Sequence, residues 1–217
     1  MVGALRVKSG FALVISLVTA FAIAEPAAAA LTSVVEDPIG DLLTQLPNGP
    51  NPAFVAQAYQ DILRATVTLK HGQFILTMKL AAPIPESPIL PPQIELIEWD
   101  WTFNTNLTAF PAGFPFPGPI DSSEFMVFVI WNGVSFSAIL IDRRPLLTGG
   151  DALLTPVPFQ IKGSDITVSV DAALLDNPSS FPWRTFTEIW QAQLGTNSWM
   201  VADEAPDLGL AAATWPA

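Results

Sequence analysis

The chain has 217 residues, 9 basic and 20 acidic, for a net charge of −11, with one histidine and no cysteine. Those numbers exclude a thiol nucleophile, thiolate metal ligands, disulfide stapling and any multi-histidine metal centre. The acidic balance also opposes association with nucleic acid or anionic lipid.

In chain order, Arg6 and Lys8 precede an uncharged, mostly apolar run from Phe11 to Ala24, and Glu25-Pro26 and four alanines follow. A charged start, an apolar middle and small residues at a cleavage point are the layout of a signal peptide. The apolar run is shorter than the ~20 residues a membrane span needs. We therefore expect residues 1–30 to be a signal peptide, cleaved after Ala30 or alternatively after Ala24, and residues 31–217 to be one exported domain, secreted or periplasmic. Removing Arg6, Lys8 and Glu25 leaves that domain at a net charge of −12.

The mature region reads as strands. Ala65, Val67 and Leu69 alternate with polar residues, then Lys70-His71-Gly72 turns the chain. Phe74, Leu76, Met78 and Leu80 resume the period of two, which predicts a hairpin with His71 solvated at its tip. Ile97, Trp99, Trp101 and Phe103 form one strand face, with Leu96, Glu98, Asp100 and Thr102 on the other. Phe125–Trp131 is apolar on both faces, as a central strand should be. Asn132-Gly133 predicts a tight turn into residues 135–142. Further strands are expected at 157–161, 166–170, 185–194 and 198–202, with turns at Gly163-Ser164 and Gly195-Thr196-Asn197. Helix signals are confined to one short turn after Asp171, which caps it. The prolines fall mainly between strands, above all in 83–92 and in the apolar segment 110–119. The whole predicts an all-β, antiparallel β-sandwich, jelly-roll-like, with about nine strands and little helix.

Acids cluster near both ends of the mature region. Glu36-Asp37-Pro38-Ile39-Gly40-Asp41 stands early, Asp61 opens the first long strand, and Asp203-Glu204-Ala205-Pro206-Asp207 stands late. Carboxylates in tight turns beside backbone carbonyls suit calcium, which takes six to eight oxygen ligands. The two ends of a sandwich can lie side by side, so the motifs could share an ion. The same residues also read as ordinary turn formers with solvated charges.

Seven tryptophans raise a second expectation. Trp99, Trp101 and Trp131 sit on apolar faces and read as core. Trp183 and Trp199 lie beside turns and are the candidates for stacking on a sugar ring. A third reading concerns Glu98 and Asp100, whose i, i+2 spacing sets them roughly 6.5–7 Å apart on one strand face. That matches an inverting glycosidase pair, and Glu188 is a further candidate acid, but a solvated sheet face meets the same test. Arg143-Arg144 reads as an ion-pairing site beside Asp142. No Gly-x-Ser-x-Gly elbow, dinucleotide fingerprint or P-loop is present, so no nucleotide cofactor is expected.

The signal peptide, Asp37-Pro38-x-Gly40-Asp41, Asp61-Ile62, Trp99-x-Trp101 and Ala202-Asp203-x-Ala205-Pro206-Asp207-x-Gly209 together resemble secreted bacterial β-sandwich domains of the family-9 carbohydrate-binding-module-like or DOMON-like group. The resemblance implies a jelly-roll-like fold, with calcium and sugar binding in some members. By it Asp37, Asp41 and Asp207 are carried over as calcium ligands. Haem-binding relatives use histidine or methionine ligands, and no haem pair is expected here. The leading expectation is thus an exported, non-catalytic binding or structural module, calcium-stabilised, for a polysaccharide or cell-surface component. A glycan-active enzyme and a matrix protein associating through residues 110–119 are the alternatives.

Overall fold

The computed structural model describes residues 30–42, 45–46, 49–50, 56–90, 94–106, 123–193, 196–207 and 210–216, and the side chains of 45–46, 49–50 and 191–200 lie outside that description. Residues 1–29, the segment 110–119, the turn residue Gly195 and the Trp199 side chain are therefore outside the described residues.

In chain order the strands are β1 (Leu31–Glu36), β2 (Gln45–Leu46), β3 (Gly49–Pro50), β4 (Ile62–Lys70), β5 (Gln73–Leu80), β6 (Ile94–Phe103), β7 (Phe125–Trp131), β8 (Phe136–Asp142), β9 (Leu153–Pro156), β10 (Phe159–Lys162), β11 (Asp165–Asp171), β12 (Phe181–Gln193), β13 (Thr196–Ala205) and β14 (Ala213–Trp215). Two antiparallel sheets contain twelve of them. The five-stranded sheet runs β1-β4-β5-β11-β10. The seven-stranded sheet runs β13-β12-β6-β7-β8-β9, with β14 also paired to β12. The two-residue strands β2 and β3 pair only with each other. The protein is an all-β sandwich, as the strand periodicity predicts, and its described residues place twelve strands in the two sheets rather than nine. The three additions are β1, β9 and β14, short edge strands whose sequences carry little alternation. Among the described residues, no helix is long and apolar enough to cross a membrane.

Period-two patterning places the core. Ala65, Val67, Phe74, Leu76, Met78, Ile166, Val168 and Val170 face inward from the five-stranded sheet. Ile97, Trp99, Trp101, Phe103, Val127, Val129 and Trp131 meet them from the other. The outer face of the first sheet carries threonine pairs, Thr66–Thr77 at 2.6 Å and Thr32–Thr68 at 3.0 Å between hydroxyl oxygens. Three buried indoles find backbone acceptors: Trp99 donates to the Tyr59 carbonyl, Trp131 to that of Pro88 and Trp215 to that of Leu31.

The hairpin between β4 and β5 turns on His71 and Gly72, at φ 51° and 76°. Two successive positive φ values make the type I′ turn that matches strand twist. No atom lies within 4 Å of a Cβ built at Gly72, so the cost of a side chain there is conformational. Gly72→Ala is expected to destabilise by about 1 kcal/mol, read as a lower urea midpoint with unchanged slope.

The other expected turns also form. The Asn132 side chain accepts from the Val134 and Ser135 amides at 3.0 and 2.9 Å, closing the β7–β8 hairpin. Asp171 caps the short 3-10 turn Ala172–Leu175 by accepting from the Ala173 amide at 2.9 Å.

Candidate functional site

The early and late acidic motifs converge. After β1, the Asp37 amide donates to the Leu63 carbonyl, which ties the Asp37–Asp41 turn to the start of β4. Gly40, at φ 86°, lets this turn fold back, and its amide donates to Asp61 Oδ2 at 2.9 Å. From the other end of the chain, Asp203 Oδ2 accepts from the Ile62 amide at 2.6 Å, and its Oδ1 accepts from Glu204 at 2.9 Å. The register of β13 against β12 shifts between Thr187 and Glu188, so that Ala202 is an extra residue beside Asp203. Such a bulge re-aims the side chains around it.

Two overlapping sets result. Carboxylate oxygens of Asp37, Asp41 and Asp207 lie within 4.8 Å of one another, and so do those of Asp41, Asp61 and Asp203. The three aspartates expected as ligands are therefore brought together. Asp61 and Asp203 complete the group: both belong to the acidic motifs read from the sequence, but nothing there singles them out as ligands. The fit to a hard cation is chemical as well as spatial. Every donor is a carboxylate oxygen. Asp37 Oδ2, Asp41 Oδ1 and Asp61 Oδ1 are buried and accept no hydrogen bond.

The group resists ionisation in the absence of a counter-charge. Burial, then the charges of Asp203, Asp41, Asp207 and Asp61, push the Asp37 carboxyl up to about 8. Burial raises Asp203 to about 7 against the two backbone amides that lower it. Asp41 and Asp61 are raised as well, burial again being the largest cause.

The expected sugar-stacking residues fare differently. Trp183 is a correction: it is 1% exposed, packed in the core, and its indole donates to Ser33 Oγ at 3.1 Å. Its place beside a proline suggested a turn, but β12 already begins at Phe181. The backbone of Trp199 pairs with that of Trp190 across β13 and β12. Arg144 ion-pairs with Asp142, as the sequence predicts, and also with the distant Asp176, while Arg143 donates to Met126 Sδ at 3.1 Å.

The outer face of β6 is also corrected. Glu98 and Asp100 do not form a solvated surface: they are 4% and 0% exposed. The sheet register sets Glu188, itself 1% exposed, directly opposite Glu98. Val201, Glu188, Glu98 and Ile130 thus form one row across four strands. In the next row Asp100 stands between Phe186 and Phe128. The three acids named as a glycan-hydrolysing set do share one sheet face. Their burial closes them to a polymeric substrate.

Compared with known proteins, the chain matches no family model, no curated protein and no solved structure.

Proposed function

We propose that this chain is an exported β-sandwich module, clamped by calcium, that works by binding or scaffolding rather than turnover. The observation that carries the reading is the meeting of five aspartates from opposite ends of the chain, with buried oxygens that accept no hydrogen bond. A divalent cation there would neutralise mutually repelling carboxylates and tie the β1–β4 turn to β13. Export rests on the leader-like layout of residues 1–30. A polysaccharide or cell-surface component is the proposed ligand class, resting on the resemblance to the carbohydrate-binding-module-like group. The non-catalytic part rests on the closure of Glu98, Asp100 and Glu188 from solvent.

Calorimetric titration of chelator-treated protein with calcium chloride tests the clamp. One ion is expected to bind, and Asp41→Asn, which belongs to both oxygen sets, is expected to weaken binding by about tenfold or more. A wild-type protein that takes up no calcium would return these aspartates to turn chemistry.

A further inference from the structure

The aspartates of the clamp are not all held in the same way. Asp203 stands inside the β12–β13 ladder, opposite Thr187. Asp61 leads into β4, and its carbonyl accepts from the Ala81 amide at 2.9 Å. Asp61 is 3% exposed, and its Oδ1 is enclosed among the other carboxylates without a hydrogen bond. Asp207 lacks the support of a ladder. The pairing of β12 with β13 ends at Thr185 and Ala205, two residues before it. Its charge acts on Asp37 and on Asp41 with their own sign, so repulsion drives it away from them. Asp207 needs an anchor from outside the cluster.

Arg184 is placed to be that anchor. It lies on β12, which is paired on both sides, opposite Thr102 of β6. Its Nη1 donates to the Glu204 carboxylate and to the Pro206 carbonyl, the latter at 3.2 Å, and its Nη2 donates to the Leu210 carbonyl. Those two carbonyls stand on either side of Asp207 in the chain. The Leu210 amide in turn donates to the Asp207 carbonyl at 3.0 Å. One guanidinium therefore ties both flanks of Asp207 to an interior strand. A rigid fork of donors suits this task better than the point charge of an ammonium.

The charge of Arg184 is answered elsewhere. The Arg184 and Glu204 side chains are only 14% and 8% exposed, and among the described residues Arg184 forms an ion pair with Glu204 and with none of the five aspartates. Its hold on Asp207 thus runs through the backbone. Hydrogen-bond partners one step behind a metal ligand carry about ten- to hundredfold in affinity.

We propose that Arg184 is the positioning residue of the calcium clamp: by gripping the carbonyls of Pro206 and Leu210 it keeps the Asp207 carboxylate beside those of Asp37 and Asp41. This role rests on the clamp reading above. The sign of its effect separates position from charge. Removing a positive charge near an acidic site would, by Coulomb attraction alone, tighten cation binding. Removing an anchor loosens it.

Calorimetric titration of the chelator-treated full chain with calcium chloride at pH 8 tests the role. Arg184→Met is expected to bind calcium about tenfold or more weakly than wild type. Arg144→Met removes the same charge from a pair with Asp142 and Asp176 on the far side of the sheet and should leave the affinity unchanged. In an Asp207→Asn background, Arg184→Met should cost little further affinity, because the two act through one ligand. Terbium bound in place of calcium gives a second readout. Its luminescence decay in H2O and D2O should report more bound water in Arg184→Met than in wild type. Should Arg184→Met fail to fold, Arg184→Met with Glu204→Gln takes its place, since it leaves no buried charge unpaired. Wild type that takes up no calcium would overturn the clamp and this role together. Wild type that binds, beside an Arg184→Met that binds as tightly or more tightly, would overturn the role of Arg184 and leave the clamp standing. A full additional loss in the Asp207→Asn background, or equal terbium hydration, would mark Arg184 as merely structural and would also overturn it.

Discussion

Calcium is expected to raise the melting midpoint of chelator-treated protein by roughly 5–11 °C at pH 8, and by much less at pH 5. The size follows from mass action: free ion at a hundredfold over its dissociation constant contributes about 2.7 kcal/mol. In a domain of this length each kcal/mol moves the midpoint by roughly 2–4 °C. The pH dependence follows from the aspartates. Asp37 and Asp203 ionise at about 8 and about 7 in the fold, against 3.8 ordinarily. Without metal, their contribution to stability is full below pH 3.8 and drains away as pH rises through 7 to 8. The metal-free protein should therefore melt lower at pH 8 than at pH 5. Calcium and protons compete for the same oxygens, so calcium restores most where protons have left.

Asp41→Asn sharpens this prediction. Asp41 belongs to both oxygen sets, so its loss removes a ligand charge and one source of repulsion together. In chelator at pH 8 the variant should melt at or above wild type. In calcium it should melt below. A calcium response of equal size in wild type and variant, or none in either, would remove the clamp from the account of this fold.

Much of the scaffold was legible because strands announce themselves by period two. Phe74, Leu76, Met78 and Leu80 had to share a face, and that face had to be buried. The hairpin at His71-Gly72 and the cap at Asp171 rest on local backbone rules and were equally readable. What could not be read was pairing between distant strands. Glu188 stands opposite Glu98 only because β12 lies beside β6, a juxtaposition that no local pattern encodes. The burial of Glu98 and Asp100 ran against the local signal, since alternation with tryptophan ordinarily marks a solvated polar face. The aspartate site was half legible. Asp37 and Asp41 share one turn, and the Asp-Pro and Pro-Asp motifs mark both ends of the chain. The choice of Asp61 and Asp203 depends on a bulge and on the approach of β13 to β4, which are tertiary facts.

The other large effect is expected in the core, from Trp215→Ala, at about 3–5 kcal/mol, or roughly 6–20 °C of melting midpoint. Trp215 sits on β14, one of the strands not apparent in the sequence, yet it joins the two sheets. Its ring meets Phe74 of the five-stranded sheet edge-on at 4.8 Å and stacks on Phe181 of the seven-stranded sheet at 5.3 Å. Phe181 in turn packs edge-on against Phe103 and Phe74, at 5.4 Å each. The Trp215 indole bonds the Leu31 carbonyl on β1, and the neighbouring Thr214 carbonyl accepts from Ser33 Oγ at 2.8 Å. Truncation opens a cavity in an aromatic cluster whose members are fixed from two sides, so collapse can recover little of it. Trp215→Phe should retain most of the stability, because the ring contacts persist and only one hydrogen bond is lost. Leu154→Ala, at an exposed position, serves as the control and should stay within about 0.5 kcal/mol. Urea unfolding measures all three. Because β1 leads directly into Asp37, the Trp215→Ala protein should also bind calcium more weakly. A loss below 1 kcal/mol with unaltered calcium affinity would show that β14 closes the edge of the sandwich without holding the sheets together.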